Sequence, residues 1–309
     1  MKRIFALLCL LTLQFSFLSA QELPLKNCID APLKNFNSTT LQHQLYKQLS
    51  VDPKIKKLID NKMMSVGIVS LEDVNNVQYA GLNGEEMMYA ASLPKIAILL
   101  AAMDAIDKGE LIETDEVKHD MWLMISKSNN QASTRMIDRL GYDKINGVLM
   151  SDRYKLYDKK VGGGLWVGKR YAAAGERRPE PMKGLSHAAT AEQVCRFYYK
   201  LVTGTLVNAA RSKEMLSIME HPSLHHKFVN TLDRIAPDAR LFRKSGSWKT
   251  FHSDSILVWG ADGRKYILVA LVNDADGEQI IRNLVVPVEK AIKKSRTLIA
   301  SVETDKVSD

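Results

Sequence analysis

Three short elements place a nucleophile, two lysines and several hydroxyls in an order suited to acyl-transfer chemistry. The first is Ser92-Leu93-Pro94-Lys95, the only Ser-x-x-Lys in the chain. Positions three apart at a helix start share a face, so Lys95 can reach the Ser92 hydroxyl. A serine is a poor nucleophile until a neighbouring base takes its proton. A lysine can be that base when neutral, and burial in an apolar helix favours the neutral form. A helix N-terminus also suits negative charge developing at the reacting centre.

The second element is Ser128-Asn129-Asn130, between two helical stretches. Ser128 could relay a proton, and Asn130 could hydrogen-bond a substrate amide. The third is Lys244-Ser245-Gly246-Ser247, at the end of a strand-like run. A lysine there could bind a substrate carboxylate, and Gly246 would let substrate approach the backbone closely. The Ser247 N–H could then form an oxyanion hole with the N–H of Ser92. Each element alone also has a plain reading: a capping serine, a polar turn, a strand end. Only the three together select the chemistry.

The patterning around them predicts what holds them. Residues 41–62 carry a helical stripe of Leu45, Leu49, Ile55, Leu58 and Ile59, interrupted by Pro53. Short strands are expected at 65–71 and within 75–88, with turns at Gly81 and Asn83-Gly84. From Leu93 to Leu111 apolar residues fall at helical spacing, with Ser92 and Pro94 as start signals. Further helices are expected at 118–126, 131–140, 143–150, 190–203 and 211–219, and a long ordered loop at 151–188. Strands return at 240–243, 255–260 and 266–272, the last two joined by a turn at Asp262-Gly263. A final helix over 277–300 should kink at Pro287. The order implies an α+β fold with an antiparallel sheet built from both chain ends. The α/β lobe would take about 40–90 and 205–305, and an inserted all-α lobe about 91–204.

The chain of 309 residues is 46% hydrophobic and 25% charged, ordinary for a globular protein able to bury its own core. Residues 1–20 read as a signal peptide: Lys2 and Arg3, an apolar run from Ile4 to Leu18, and small residues at Ser19-Ala20. That run is shorter than the ~20 apolar residues of a membrane span, so no stable span is expected after cleavage. Cleavage lowers the formal net charge of +8 by two. The remaining surplus is scattered and does not point to nucleic acid. Cys28 and Cys195 could pair, although Cys195 lies in an apolar helical pattern that suits a buried thiol. His221, His225 and His226 lack the acidic partners and spacing of a metal site, and no metal or cofactor is expected.

S-x-x-K, S-D-N and K-T-G, in that order, mark class A β-lactamases and penicillin-binding proteins. The chain resembles class A β-lactamases over most of its mature length, with Asn129 for the aspartate and Ser245 for the threonine. Ala90-Ala91-Ser92, Thr190 to Val202, and Ser253-Asp254-Ser255 through Trp259 add to the likeness. The resemblance implies a β-lactamase/transpeptidase-like fold in a monomeric, metal-free enzyme of the periplasm or of secretions. It implies Ser92 as the acylated nucleophile, Lys95 as base or relay, and Ser128 as proton shuttle. Asn130 becomes the amide ligand, and Lys244 and Ser245 the carboxylate-binding pair.

One family feature is missing. Class A enzymes activate the deacylating water with an omega-loop glutamate in a Glu-x-x-x-Asn pattern. The corresponding region, Val161 to Tyr171 and beyond, has no such match. By spacing from Thr190 the acidic candidates are Glu176 and Glu180, with Glu176 the expected base. Trp166 and Tyr171 could line the cleft or pin the loop by packing. The expected function is β-lactam hydrolysis through a serine acyl-enzyme. The alternatives are a penicillin-binding D-alanyl-D-alanine peptidase that deacylates slowly, and a non-catalytic envelope-binding protein on the same scaffold.

Overall fold

A computed structural model describes residues 23–25 and 31–307. The signal-peptide segment 1–20 and Cys28 lie outside the described residues, so neither export nor a Cys28–Cys195 pair is read from it. Cys195 is buried and has no disulfide partner among the described residues.

Five strands form the main sheet: β1 (Met64–Ser70), β2 (Gln78–Leu82), β3 (Arg240–Trp248), β4 (Phe251–Trp259) and β5 (Lys265–Asn273). Their order is β2-β1-β5-β4-β3, every neighbour antiparallel. Both chain ends therefore build one sheet, and the helices between β2 and β3 are inserted into it, as the patterning predicted.

The sheet is covered on both faces, which is why its strands read as nearly continuous apolar runs. Along β5, Tyr266, Leu268, Ala270 and Val272 join one core with the Thr39–Leu49 helix, the first turns of the Val285–Val307 helix and the Phe228–Ile235 helix. The intervening Ile267, Val269 and Leu271 join the other core, shared with the inserted helices. The Ala191–Val202 helix lies closely on that second face. A Cβ at Gly67 of β1 would stand 2.8 Å from the Cys195 sulfur, so only glycine admits the helix at this distance. The Ala209–Met219 helix packs on both the Asp115–Ser126 helix and β3, so the two lobes share it.

Local chemistry explains where the boundaries depart from expectation. Pro53 does not interrupt a helix. It is the first residue of a second one, with Asp52 capping Lys54 N at 2.8 Å and Ile55 N at 3.2 Å. Pro287 does not kink the last helix either. That helix is broken at Leu284, and Pro287 falls in the first turn of Val285–Val307, where no N–H is needed. The Asp262-Gly263 turn forms as predicted, both residues at positive φ. The Phe228–Ile235 helix was not legible: Lys227 precedes it at φ 57 without capping it, and its first N–H, Phe228 N, donates to the distant Asp254 Oδ2 at 3.2 Å.

The segment 151–188 is an ordered loop with short pairings. Trp166–Val167 and Met88–Tyr89 flank His187–Ala189 in a small three-stranded sheet. Trp166 is buried and donates to Arg178 O at 2.9 Å, and the Asn146 amide donates to Val167 O at 3.0 Å. Trp166 therefore pins the loop, while Tyr171 lines the cleft.

Candidate active site

Ser92 stands in the turn that launches the Lys95–Asp107 helix, not inside it. Ala91 holds φ 50, a left-handed conformation uncommon for a residue with a Cβ. Leu93 N donates to Ala90 O at 3.0 Å and Lys95 N to Ser92 O at 3.3 Å. These i→i+3 bonds eclipse residues three apart, which puts Ser92 and Lys95 on one face. Ser92 remains partly exposed, whereas Lys95 is fully buried.

The Lys95 ammonium donates to Ser128 O at 2.7 Å and Asn130 Oδ1 at 2.8 Å, with Ser128 Oγ at 3.4 Å. Burial lowers its pKa from 10.5 to about 7, so close to half the population is neutral near neutral pH. Ser128 is held at φ 52, which turns its carbonyl and hydroxyl to the lysine. Asn129 caps the next helix, accepting from Ala132 N at 2.8 Å. The capping acceptor survives the exchange of Asp for Asn, and this explains why the variant motif keeps its shape.

From the other lobe, Lys244 donates to the same Ser128 Oγ at 2.9 Å and to Ser245 O at 2.7 Å. Its pKa is held well below 10.5 by burial first, then by the positive charges of Lys95 and Arg243. Ser128 thus bridges both lysines across the cleft. Gly246 brings β3 against the Ser92 turn: a Cβ there would fall 2.4 Å from Ala90 O and 2.5 Å from Ser92 N. Ser253, opposite Gly246 in the register, donates to Ala90 O at 2.8 Å and fastens β4 to the same turn. Gly246→Ala should therefore push β3 off Ser92 and slow acylation on the order of a hundredfold, the scale of losing one oxyanion donor. A penicillin acylation rate measured beside a thermal midpoint checks this. A rate within twofold of the native protein's would refute it.

Two groups were missed by sequence reasoning. Lys227, fully buried, donates to Gly246 O at 2.6 Å, Ser247 Oγ at 2.8 Å and Ser253 O at 3.0 Å, its pKa lowered to about 8 by burial. It braces the end of β3 from behind. Arg243 pairs bidentately with buried Asp254, Nε–Oδ1 2.7 Å and Nη2–Oδ2 2.9 Å. With Asp254 committed, no carboxylate pairs with Lys95, Lys227 or Lys244 among the described residues. The three amines have no carboxylate to hold their protons, and burial shifts each toward its neutral form. Neither residue belongs to a short motif, so only the fold reveals them.

The expected deacylating base is not with this group. The Glu176 side chain is 62% exposed and pairs with Arg178 at 2.9 Å, so its carboxylate is a solvated loop charge. Glu180 is buried, but it ties the loop. It accepts from Met182 N at 2.8 Å and Lys183 N at 2.6 Å and bonds the Tyr157 hydroxyl. Over Lys95 lies Tyr171, its ring centre 4.5 Å from Nζ and its hydroxyl donating to Ala91 O at 3.3 Å. Burial raises that phenol well above 10, so it stays protonated. His187 packs on the Tyr171 ring at 4.3 Å, and burial lowers its pKa to about 4, so it stays neutral.

An antiparallel sheet from both chain ends, with a serine, two lysines and a bridging hydroxyl at the mouth of a helical insertion, defines the penicillin-recognising fold class. The sequence profile of the beta-lactamase enzyme family matches residues 50–121 and 114–294, and the chain belongs to that family. No curated protein matches it in sequence. Among solved structures it is similar to a β-lactamase from Sphaerobacter thermophilus, at 16% identity and TM-score 0.62 over 81% of this chain and 95% of that one. It is also similar to PBP-A, at 20% identity and TM-score 0.60 over 84% and 97% of the two chains. A third likeness is to a β-lactamase from Chitinophaga pinensis, at 17% identity and TM-score 0.59 over 78% and 97%. A point variant of PBP-A is described as an acyl-enzyme complex with penicillin G.

Proposed function

We propose that the protein is a serine acyl-enzyme that takes β-lactams and D-alanyl-D-alanine amides on Ser92, and that it releases the penicilloyl group slowly. The Lys95–Ser128–Lys244 chain carries this reading. Neutral Lys95 takes the Ser92 hydroxyl proton as Oγ bonds the amide carbonyl carbon. The oxyanion is met by the N–H groups of Ser92 and Ser247, kept adjacent by the Gly246 contact. As the C–N bond breaks, the proton passes from Lys95 through Ser128 Oγ to the departing nitrogen. Lys244 and Ser245 bind the substrate carboxylate, and Asn130 its amide.

Slow release follows from what covers Lys95. A protonated phenol can neither take a proton from water nor yield its place to one, and both loop glutamates are otherwise engaged. Lys95 alone is left to activate water. The hydrolase expectation is thus kept for acylation and narrowed for turnover. The protein is exported, to the periplasm or beyond, on the pattern of residues 1–20. Among the described residues no helix is long and apolar enough to cross a membrane.

The test is a mass spectrum after brief and prolonged exposure to penicillin, read beside D-alanine release from a short peptide. A lasting adduct on Ser92 with D-alanine release is expected. Rapid loss of the adduct with hydrolysed penicillin accumulating would make the protein an efficient β-lactamase. No adduct would leave a binding protein on this scaffold. Tyr171→Glu, which sets a carboxylate over Lys95, should speed loss of the adduct at least tenfold, toward the lower range of general-base effects. An unchanged adduct lifetime in a folded variant would count against the role given to Tyr171.

A further inference from the structure

We propose that the cleft lined by Asn130 and Tyr171, both in contact with Lys95, selects acyl donors whose amide chain is acidic, as in an acidic peptide. This rests on the acyl-enzyme reading above and names the substrate class of that site. A cleft of about 820 Å³ runs from Asn130, which holds Lys95, out to Trp248 on the β3–β4 turn. Its inner wall is aromatic: Tyr89 packs edge-on against Phe251 at 5.4 Å and faces His187 at 6.1 Å. Trp248 is 59% exposed at the far end, apolar surface left open to a ligand.

Four cations line this cleft and no Asp or Glu does. Arg170 is neutralised by Asp138 at 2.6 Å. The Lys169 ammonium donates only to a carbonyl, Ala173 O, at 3.1 Å. Arg177 and Lys249 are exposed, and among the described residues no carboxylate pairs with either. Unpaired surface cations are usually just solvated, and Lys57, Lys159 and Lys160 of this chain are exposed without a carboxylate partner among the described residues, while others are paired. Lys54 meets Asp274 and Asp276, Arg211 meets Glu113 and Glu214, Arg240 meets Glu220, and Arg264 meets Glu289. Lys169, Arg177 and Lys249 differ from those solvated cations in lining one concavity that holds no carboxylate.

The cleft also holds an unsatisfied polar atom. His187 directs Nε2 to Lys169 O at 3.0 Å, leaving Nδ1 buried with no partner. With Nε2–H the donor, Nδ1 is an acceptor, suited to an amide N–H of the acyl chain. Apolar walls beside unneutralised charge focus the field and raise the local concentration of anions. The fitting ligand therefore carries an amide near His187, an apolar stretch along Tyr89 and Phe251, and a carboxylate within reach of Lys169, Arg177 and Lys249.

The probes are a penicillin with a 5-carboxypentanoyl side chain and its side-chain methyl ester, which differ by one charge. Acylation rates are measured on the full chain at low salt, and dissociation constants by calorimetry on Ser92→Ala. The free acid should acylate about tenfold faster than the ester, with the ratio shrinking in high salt as screening predicts. In the exposed double variant Arg177→Glu, Lys249→Glu the ratio should fall to one or invert. Equal rates in the native protein, or an unaltered ratio in the double variant, would overturn the proposal. No adduct from either probe, with the acid binding Ser92→Ala about tenfold more tightly, would overturn the acyl-enzyme reading and leave this cleft assigned. No adduct and equal binding would overturn both.

Discussion

Ser92→Ala should leave a protein that folds as before and forms no adduct with any penicillin. The expected loss is on the order of a million-fold, the scale seen when the attacking serine of a serine hydrolase is removed. The fold should survive because, among the described residues, no hydrogen bond of the Ser92 hydroxyl holds the structure together. Its backbone does the structural work. Ser92 O accepts from Lys95 N, and the turn is fastened through Ala90 O by Ser253. Alanine keeps all of this, so a thermal midpoint within a few degrees of the native value is expected. Intact-protein mass spectrometry after prolonged exposure reads the result. Adduct formation at the native rate would mean that another residue is the nucleophile.

Ser92, Lys95, Ser128 and Lys244 were legible in the sequence because each belongs to one of three short local motifs. The structure brings these four together, with Asn130 and Gly246 beside them. Two local contexts were legible too, a turn into a helix and a capped interhelical turn, whereas Lys244–Ser247, expected at a strand end, lies within β3 because the strand runs on to Trp248. The sheet from both chain ends followed from the order of apolar patterns, even though burial on both faces concealed the alternation within β5. What could not be read depends on contacts between distant segments. Lys227 acts through carbonyls on β3 and β4 that lie 19 and 26 residues away. Glu176 was chosen by spacing alone, and spacing in a long loop does not fix direction. Arg178 and the short pairings around Gly168 turn the Glu176 carboxylate to solvent. Tyr171 carries no motif, yet the loop lays it on Lys95. The motif residues of the site are thus local in sequence, and what the 151–188 loop lays over them is a matter of tertiary placement.

Lys95→Met should slow acylation by about a thousandfold, within the range of losing a positioned general base. The pH dependence makes the assignment specific. Burial lowers the Lys95 pKa to about 7, and the neutral amine is the active form. Below that value the ammonium holds its proton, and the acylation rate should fall tenfold per pH unit. Above it the rate should level off. Among the neighbours His187 titrates near 4 and Lys227 near 8, both lowered by burial, and Lys244 is lowered well below 10.5 by burial and by the charges of Lys95 and Arg243. A step near 7 in the native protein that vanishes in Lys95→Met therefore identifies Lys95 as the base. A step near 8 that persists in the variant would move the role to Lys227. Lys95→Arg should be as inactive as Lys95→Met, because a guanidinium stays charged throughout this range and cannot accept the proton. The charge would be kept and the reaction lost, which separates proton transfer from simple electrostatic attraction. Both variants take the Lys95 donor from Ser128 O and Asn130 Oδ1, and because Ser128 is half-buried and Asn130 exposed, water can replace part of what is lost. Met removes a buried amine in exchange, so its thermal midpoint should move less than that of Arg. Rates compared at a temperature well below both midpoints then report on chemistry and not on the folded fraction.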